Sequence, residues 1–349
     1  MNIIITGGCG FIGSHLIIRL LKNKKNKILN LDKINYASNT FLNKEFLKNK
    51  NYRFKKIDIR NSQSVKKSIL NFKPNYIFHL AAESHVDRSI DGPKIFIESN
   101  IIGTFNILEG VRKYLSLNKN LKKFIRFHHI STDEVYGDLQ KSKIKFRENT
   151  RYDPSSPYSA SKASSDHLVR SWGRTYNLPY IITNCSNNFG PHQFPEKFIP
   201  HIILCILNNK KIPIYGNGKQ IRDWIFAEDH VEILVKLMKK KLNNDTFNIG
   251  GNNEVANIDI AKKICSILSK SILKNKKIDD LFSYVTDRPG HDIRYAIDCR
   301  KLERVLNFKI KKNFYRQLED TILWYLDNKK WCDMSLRKKY KLERLGKLK

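Results

Sequence analysis

The chain has 349 residues, 41% of them hydrophobic and 11% aromatic, with 65 Lys and Arg against 33 Asp and Glu, a formal net charge of +32. That length suggests two domains or one large one, and the apolar content can build a sizeable core, which excludes disorder as the main state. No apolar run approaches the ~18 residues that would span a membrane, Ile202–Leu207 being typical of the longest.

Met1 leads straight into Ile3-Ile4-Ile5 and then glycines, a start unlike a signal peptide. The six cysteines (Cys9, Cys185, Cys205, Cys265, Cys299, Cys332) are scattered without CxxC spacing. Reduced thiols in a cytoplasmic enzyme are expected, with no disulfide framework. The ten histidines, adjacent His128 and His129 included, lack metal-ligand spacing, so no metal is expected. A pI near 9.8 raises nucleic acid as a partner. The positive charge, however, is spread along the chain in short clusters such as Lys22–Lys27, Lys239–Lys241 and Lys274–Lys277, alongside abundant Asn and Ile. Solvated surface of compositional origin is the better reading, for the basic tail from Arg337 to Lys349 as well.

In chain order, Asn2–Thr6 reads as a strand and Gly13–Lys22 as a helix. Ile28–Leu31 is a second strand, ended by Asp32. Tyr52–Ile57 and Tyr76–Leu80 are further strands, with a helix over Ser62–Asn71 between them. Pro93 opens a long helix in which Ile97, Ile101, Phe105, Leu108 and Val111 fall on one face. Phe124–Ile130 and Tyr180–Thr183 complete the strands, flanking a helix from Ser159 to Asn177. Strands alternating with helices predict an α/β fold, a parallel sheet wound on both faces. From Phe194 the pattern loosens, and Gly216-Asn217, Gly250-Gly251 and Pro289-Gly290 separate short elements. The expected division is a cofactor domain over 1–190, to which later segments return, and a smaller α+β substrate lobe formed mainly by 191–349.

Thr6-Gly7-Gly8-Cys9-Gly10-Phe11-Ile12-Gly13 follows the first strand and opens the first helix. Its glycines at 7, 10 and 13 allow a tight turn and a close approach of backbone N–H groups to a pyrophosphate at the helix N-terminus. Asp32, closing the second strand, would accept hydrogen bonds from both ribose hydroxyls and repel a 2′-phosphate. A doubly wound Rossmann sheet holding NAD in preference to NADP follows. Asp58-Ile59 ends the third strand where an adenine would lie. Leu80-Ala81-Ala82-Glu83-Ser84 ends the fourth with small residues that leave room for a flat ring.

Tyr158 and Lys162 form a YxxxK pair at the start of a helix, on one face, so that Lys162 is expected to lower the Tyr158 pKa and make it a base. With the glycine loop and Asp32, the pair resembles the extended short-chain dehydrogenase/reductase superfamily, whose members oxidise or epimerise nucleotide sugars. By that resemblance Thr132, 26 positions before Tyr158, helps hold the substrate hydroxyl. Asp133 and Glu134 follow it directly. Simple dehydrogenases and 4-epimerases need no such pair, whereas a dehydratase needs one group to protonate a leaving hydroxyl and another to remove a proton beside a carbonyl.

The chain resembles, nearly end to end, the dTDP-glucose 4,6-dehydratases. The match runs through His79–Ser89, Thr132-Asp133-Glu134, Asn184–Lys197, Gly216–Trp224 and Asp287–Asp292. Asn184 stands where Arg is expected and His192 where Tyr is usual; neither position is catalytic in the family. The short segment between Gly137 and Tyr158 would trim a surface loop. The resemblance implies C4 oxidation with Tyr158 as base, C5 deprotonation by Glu134, protonation of the C6 hydroxyl by Asp133, and hydride return to C6, with NAD regenerated each turn. It implies cofactor contacts at Lys33, Asn35, Ser99 and Asn188 besides those named. It also implies dTDP-glucose contacts at Ser84, Thr132, Asn187, Lys197, Phe198, Pro213, Tyr215, Arg222, Asn257, Asp287, Arg288 and His291. Arg222 suits a diphosphate because a guanidinium pairs two oxygens at once.

A homodimer through Pro93–Tyr114 and Ser159–Asn177 is implied too, and entry of the product into deoxysugar synthesis such as that of dTDP-rhamnose. Two alternatives stay open: another nucleotide-sugar 4,6-dehydratase or 4-epimerase, and an RNA-binding protein on a degenerate Rossmann scaffold. Replacing Asp32 tests the cofactor reading. The unaltered protein should bind NAD and reject NADP in a calorimetric titration, and Asp32→Ala should narrow that gap. Equal affinity for both before mutation would sink the assignment.

Overall fold

A computed structural model describes residues 1–117, 124–269, 272, 277–310, 313–337, 340, 342 and 345. Lys274 and Lys276 and most of the basic tail lie outside the described residues. The strands are β1 (Asn2–Thr6), β2 (Lys27–Asp32), β3 (Tyr52–Lys56), β4 (Tyr76–His79), β5 (Arg126–Thr132) and β6 (Tyr180–Cys185). β7 (Asn187–Phe189), β8 (Ile212–Tyr215), β9 (Ile221–Phe226), β10 (Asp245–Ile249), β11 (Glu254–Ala256) and β12 (Phe282–Val285) follow. A seven-stranded parallel sheet runs in the order β10-β6-β5-β4-β1-β2-β3. Its central strands are buried on both faces, which is why β1 and β4 read as unbroken apolar runs.

Helices cover both faces. Phe11–Leu21, Ala227–Lys239 and Arg300–Leu306 bury Leu16, Ile17, Leu234 and Leu302 on one side. Ser62–Phe72, Gly103–Leu117 and Pro157–Tyr176 bury Val65, Ile107, Val111 and Val169 on the other. The chain thus leaves the large sheet after β6 and returns with Ala227–Lys239 and β10. Buried Arg126 on β5 fastens the returning helix, donating to the carbonyls of Leu237 (3.2 Å) and Lys240 (2.7 Å). The remaining elements form a second body around β11-β9-β7 and β12-β8. Helix Phe198–Leu207, apolar nearly all round, lies in its core with Ile264, Leu318 and Tyr325.

Three expectations change. β5 ends at Thr132 rather than Ile130, so Thr132 is held by the sheet. The helix expected from Pro93 is broken: a turn at Lys94–Phe96 passes into a π-helical stretch, Ile97–Ile102, before the α-helix Gly103–Leu117. The wider π turn shifts the phase of the side chains. Leu108 and Val111 are buried, but Ile97 (45% exposed) and Phe105 (40%) face outward. The third is in the tail, where Tyr340 is buried rather than solvated, its hydroxyl 3.1 Å from His201 Nδ1.

Candidate active site

The carboxyl ends of β1, β2, β3 and β4 open into one cleft. Gly7 turns there with φ +74°, and a Cβ on it would stand 2.7 Å from the backbone of Ala81. A Cβ on Gly13 would stand 2.3 Å from the Gly7 carbonyl oxygen. Only glycine lets these segments approach so closely. No side chain caps helix Phe11–Leu21, so its N-terminal N–H groups remain for an anion. Asp32 is buried at the end of β2, accepting the N–H of Cys9 on one oxygen (2.9 Å) and of Ile34 on the other (2.8 Å). Burial pushes its pKa up, while those two N–H groups oppose the shift.

Gly7, Gly10, Phe11, Ile12, Gly13, Asp32, Lys33, Asn35, Asp58, Ile59, Leu80, Ala81, Ala82, Ser84, Ser99 and Asn188 all line this cleft. Lys33 is paired with Glu83 at 2.5 Å. The hydroxyl of Ser99 is buried without a hydrogen-bond partner among the described residues. A glycine-walled anion site, a carboxylate at the second strand end and a floor of alanines fit a dinucleotide such as NAD.

Thr132, Asp133, Glu134, Tyr158 and Lys162 line the same cleft at the end of β5. Thr132 caps the 3₁₀ turn Asp133–Tyr136, its Oγ1 accepting the Glu134 N–H at 3.3 Å. This tight turn aims two successive carboxylates inward. Asp133 is buried, with one oxygen unpartnered among the described residues. Burial first, then the charges of Glu134 and Asp223, hold its pKa well above the carboxylate range. Glu134 is half-buried, and its pKa is raised by burial against the opposing pull of Arg288, Lys197 and Arg222. Asp133 is therefore the stronger candidate for a proton donor and Glu134 for an acceptor.

Helix Pro157–Tyr176 starts on a Ser156/Ser159 capping box with Pro157 in its first turn. That start delivers Tyr158 and, one turn on, Lys162. Burial, then the Glu134 charge, pushes Tyr158 well up. Lys162 Nζ donates to the Ile130 carbonyl (2.9 Å) and lies 3.4 Å from His129 Nε2. Burial pushes the Lys162 pKa down to about 8.

A second cleft adjoins the first through Ser84, Glu134, Asn187, Glu196 and Lys197. Phe198, Pro213, Tyr215, Arg222, Asn257, Arg288 and His291 line it. Asp287 does not; it stands behind, holding His291 Nδ1 at 2.5 Å and accepting from Gln220 at 2.8 Å. Arg222 stacks over the Tyr295 ring at 4.3 Å and donates to the carbonyls of Ile221 and Asp292. Arg288 pairs with Asp87 at 2.7 Å and keeps a buried Nε without partner among the described residues.

Sequence reasoning missed Asp87, Glu196 and Tyr295. Glu196 accepts from Tyr36 and from Arg88, each at 2.8 Å, and joins three separate segments where the clefts meet. No spacing in the sequence signals such a junction, although Asp87 and Glu196 lie inside matched segments. Among the described residues no group of three or more His, Cys, Asp and Glu could hold a metal, and no helix is long and apolar enough to cross a membrane.

The family model described as GDP-mannose 4,6 dehydratase matches residues 4–321. A dTDP-glucose 4,6-dehydratase of Escherichia coli is 49% identical over 359 aligned residues, covering 99% of each chain. The crystal structure of Bacillus anthracis dTDP-glucose 4,6-dehydratase in complex with NAD superposes with a TM-score of 0.84 at 38% identity, over 95% of this chain and 98% of that one. The dTDP-glucose 4,6-dehydratase of Streptomyces venezuelae, with NAD and dTDP bound, gives 0.87 at 34% identity over the same shares.

The environment of Asp133 has a measurable consequence. A carboxyl whose pKa is raised on folding contributes stability below its unfolded pKa, ~3.9, and loses it as pH rises through the folded value. At pH 7 the buried Asp133 therefore destabilises the fold. Asp133→Asn should raise the thermal midpoint at pH 7 by a few degrees while lowering turnover, and the gain should vanish near pH 4, as scanning calorimetry at both pH values would show.

Proposed function

The chain belongs to the GDP-mannose 4,6 dehydratase family, and from that premise we infer that it is an NAD-dependent dTDP-glucose 4,6-dehydratase, a hydro-lyase. The observation that carries this reading is the Thr132-Asp133-Glu134 turn, two carboxylates in different environments beside Tyr158, in a chain 49% identical to an enzyme of that activity. An epimerase has no use for that pair. NAD, when bound along the glycine loop, supplies the acceptor that takes hydride from C4 of the sugar and gives it back at C6.

The side chains do the rest. Thr132 positions the C4 hydroxyl and Tyr158 takes its proton. The 4-ketone acidifies C5–H, and Glu134 removes that proton. Asp133, kept protonated by burial, protonates the C6 hydroxyl, which leaves as water. Lys197, Arg222 and Arg288 gather around the second cleft, where a diphosphate finds its cations. The product is a 4-keto-6-deoxy sugar nucleotide that feeds deoxysugar synthesis.

The cofactor domain in this reading is 1–190 with the returning helix and β10, and 191–349 supplies mainly the substrate lobe. The protein works in the cytoplasm as a homodimer, without nucleic acid. Outward-facing Ile97, Ile102 and Phe105, beside Trp172 and Tyr176 on the next helix, support the dimer: Phe105 meets Trp172 edge-on at 5.8 Å.

Isotope labelling tests the whole cycle. Deuterium at C4 of dTDP-glucose should reappear at C6 undiluted, and turnover in D₂O should place solvent deuterium at C5. Label returned to C4, or no solvent label at C5, would contradict the mechanism. For the assembly, Phe105→Asp should shift the mass measured by light scattering from dimer to monomer; an unchanged dimer would place the interface elsewhere.

A further inference from the structure

Tyr158 and Lys162 are the first two rungs of a longer series. Asp166 and Arg170 follow at the same four-residue step on helix Pro157–Tyr176, so phenol, ammonium, carboxylate and guanidinium lie in a row along one face. Asp166 is fully buried. One of its oxygens accepts from Ser131 Oγ (2.9 Å) and Tyr152 OH (2.8 Å), and Tyr152 OH in turn accepts from Arg170 (2.7 Å). The other lies 3.2 Å from His129 Nε2 and has no hydrogen-bond partner among the described residues. That same nitrogen is 3.4 Å from Lys162 Nζ. His129 on β5, also fully buried, therefore sits between the ammonium and the carboxylate.

The charges facing Lys162 can be named. They are Tyr158 and Asp166 on its own helix, His129 on β5, Cys185 on β6 and His79 on β4. Asp166 is the carboxylate among them. Its own cations are Lys162 and Arg170, because the neighbouring position on β6 holds neutral Asn184, which donates to the Thr132 carbonyl at 3.1 Å and lies 3.5 Å from Asp166. His129 is itself held neutral, its pKa pushed down to about 4 by burial and the Lys162 charge. It adds no charge. A neutral imidazole nitrogen either accepts from Lys162 or donates to Asp166, so the proton on His129 and the charge on Lys162 are linked.

We propose that Asp166, lying across His129, is the internal counter-ion of Lys162, and that the two are positioning residues: the carboxylate keeps the ammonium charged, and the imidazole, as acceptor, keeps it turned toward the Ile130 carbonyl beneath Tyr158. The inference rests on the dehydratase reading above and extends it behind the cleft, to groups that touch neither sugar nor cofactor. A buried ammonium without a counter-charge gives up its proton readily. Burial already brings Lys162 to about 8, and Asp166 opposes that fall. Without Asp166 the lysine would be neutral over part of the working range, and Tyr158 would lose the cation that favours its phenolate.

The test is the pH profile of turnover of dTDP-glucose by the NAD-loaded protein and three variants. Asp166→Asn and His129→Leu should move the alkaline limb of kcat to lower pH by about one unit, with KM held within about twofold. His129→Gln should keep the limb in place, because its amide oxygen still offers Lys162 an acceptor where His129 Nε2 did. A folded Asp166→Asn whose rate falls equally at all pH values, with the limb unmoved, would overturn the proposal. If that variant does not fold, the two His129 variants decide, and coincident limbs for Leu and Gln would overturn it. Failure of the unaltered protein to convert dTDP-glucose would strike the dehydratase reading itself, and this inference with it; a moved limb cannot arise in that case.

Discussion

Strand β5 pairs with β4 over Arg126–His129 and with β6 over Phe127–Thr132, and this double register sets the geometry of everything catalytic. His79 stands opposite His129, and Thr132 opposite Cys185. In a strand, neighbours point to opposite faces, so a slip of one residue would exchange His129 and Ser131 for His128 and Ile130 on the face that meets helix Pro157–Tyr176. It would also carry Thr132 away from the cleft. The turn that follows then presents Asp133 and Glu134 from a fixed point. The helix contributes its two side chains against that same strand, Lys162 bonding to the Ile130 carbonyl.

Around this strand the protein retains groups that water would hold more comfortably. Asp133 and Tyr158 are pushed strongly toward their neutral forms by burial. Asp223, close behind, is pushed up to about 6 for the same reason. Neither carboxylate placement stabilises the fold at neutral pH, whereas the phenol is neutral there whether the chain is folded or not. They are tolerated because two large apolar cores flank the site, one on each side of the parallel sheet, and a third fills the second lobe. Strain of this kind collects where chemistry requires unusual proton affinities.

The fold class was legible because each strand is a short apolar run and each early helix has a single buried stripe. The glycine loop and Asp32 were legible because close backbone approach leaves a mark in residue type. Less visible was whatever depends on several loops meeting. Glu196 joins Tyr36 and Arg88 from separate segments, and Asp287 turned out to support His291 from behind. The segment before Tyr158, read as trimmed surface, carries buried Phe146 and the Tyr152 hydroxyl that Asp166 binds. The stripe from Ile97 to Val111 misled because a π-helical stretch changes its period. The burial of Tyr158 was not legible, because a shared helix face says nothing about burial or about which way the ammonium turns.

The return of the chain to its first sheet bears on how the protein is made. β10 supplies the strand beside β6, yet everything from β7 to helix Ala227–Lys239 lies between them in the chain. During synthesis the N-terminal sheet must therefore wait, with the N–H and C=O groups on one side of β6 open, until Asp245–Ile249 leaves the ribosome. A waiting strand edge invites pairing with another nascent chain. Arg126 remains exposed for as long, since the carbonyls of Leu237 and Lys240 that receive it arrive with the same late segment. The two lobes cannot mature one after the other; the first is completed by chain that has already passed through the second.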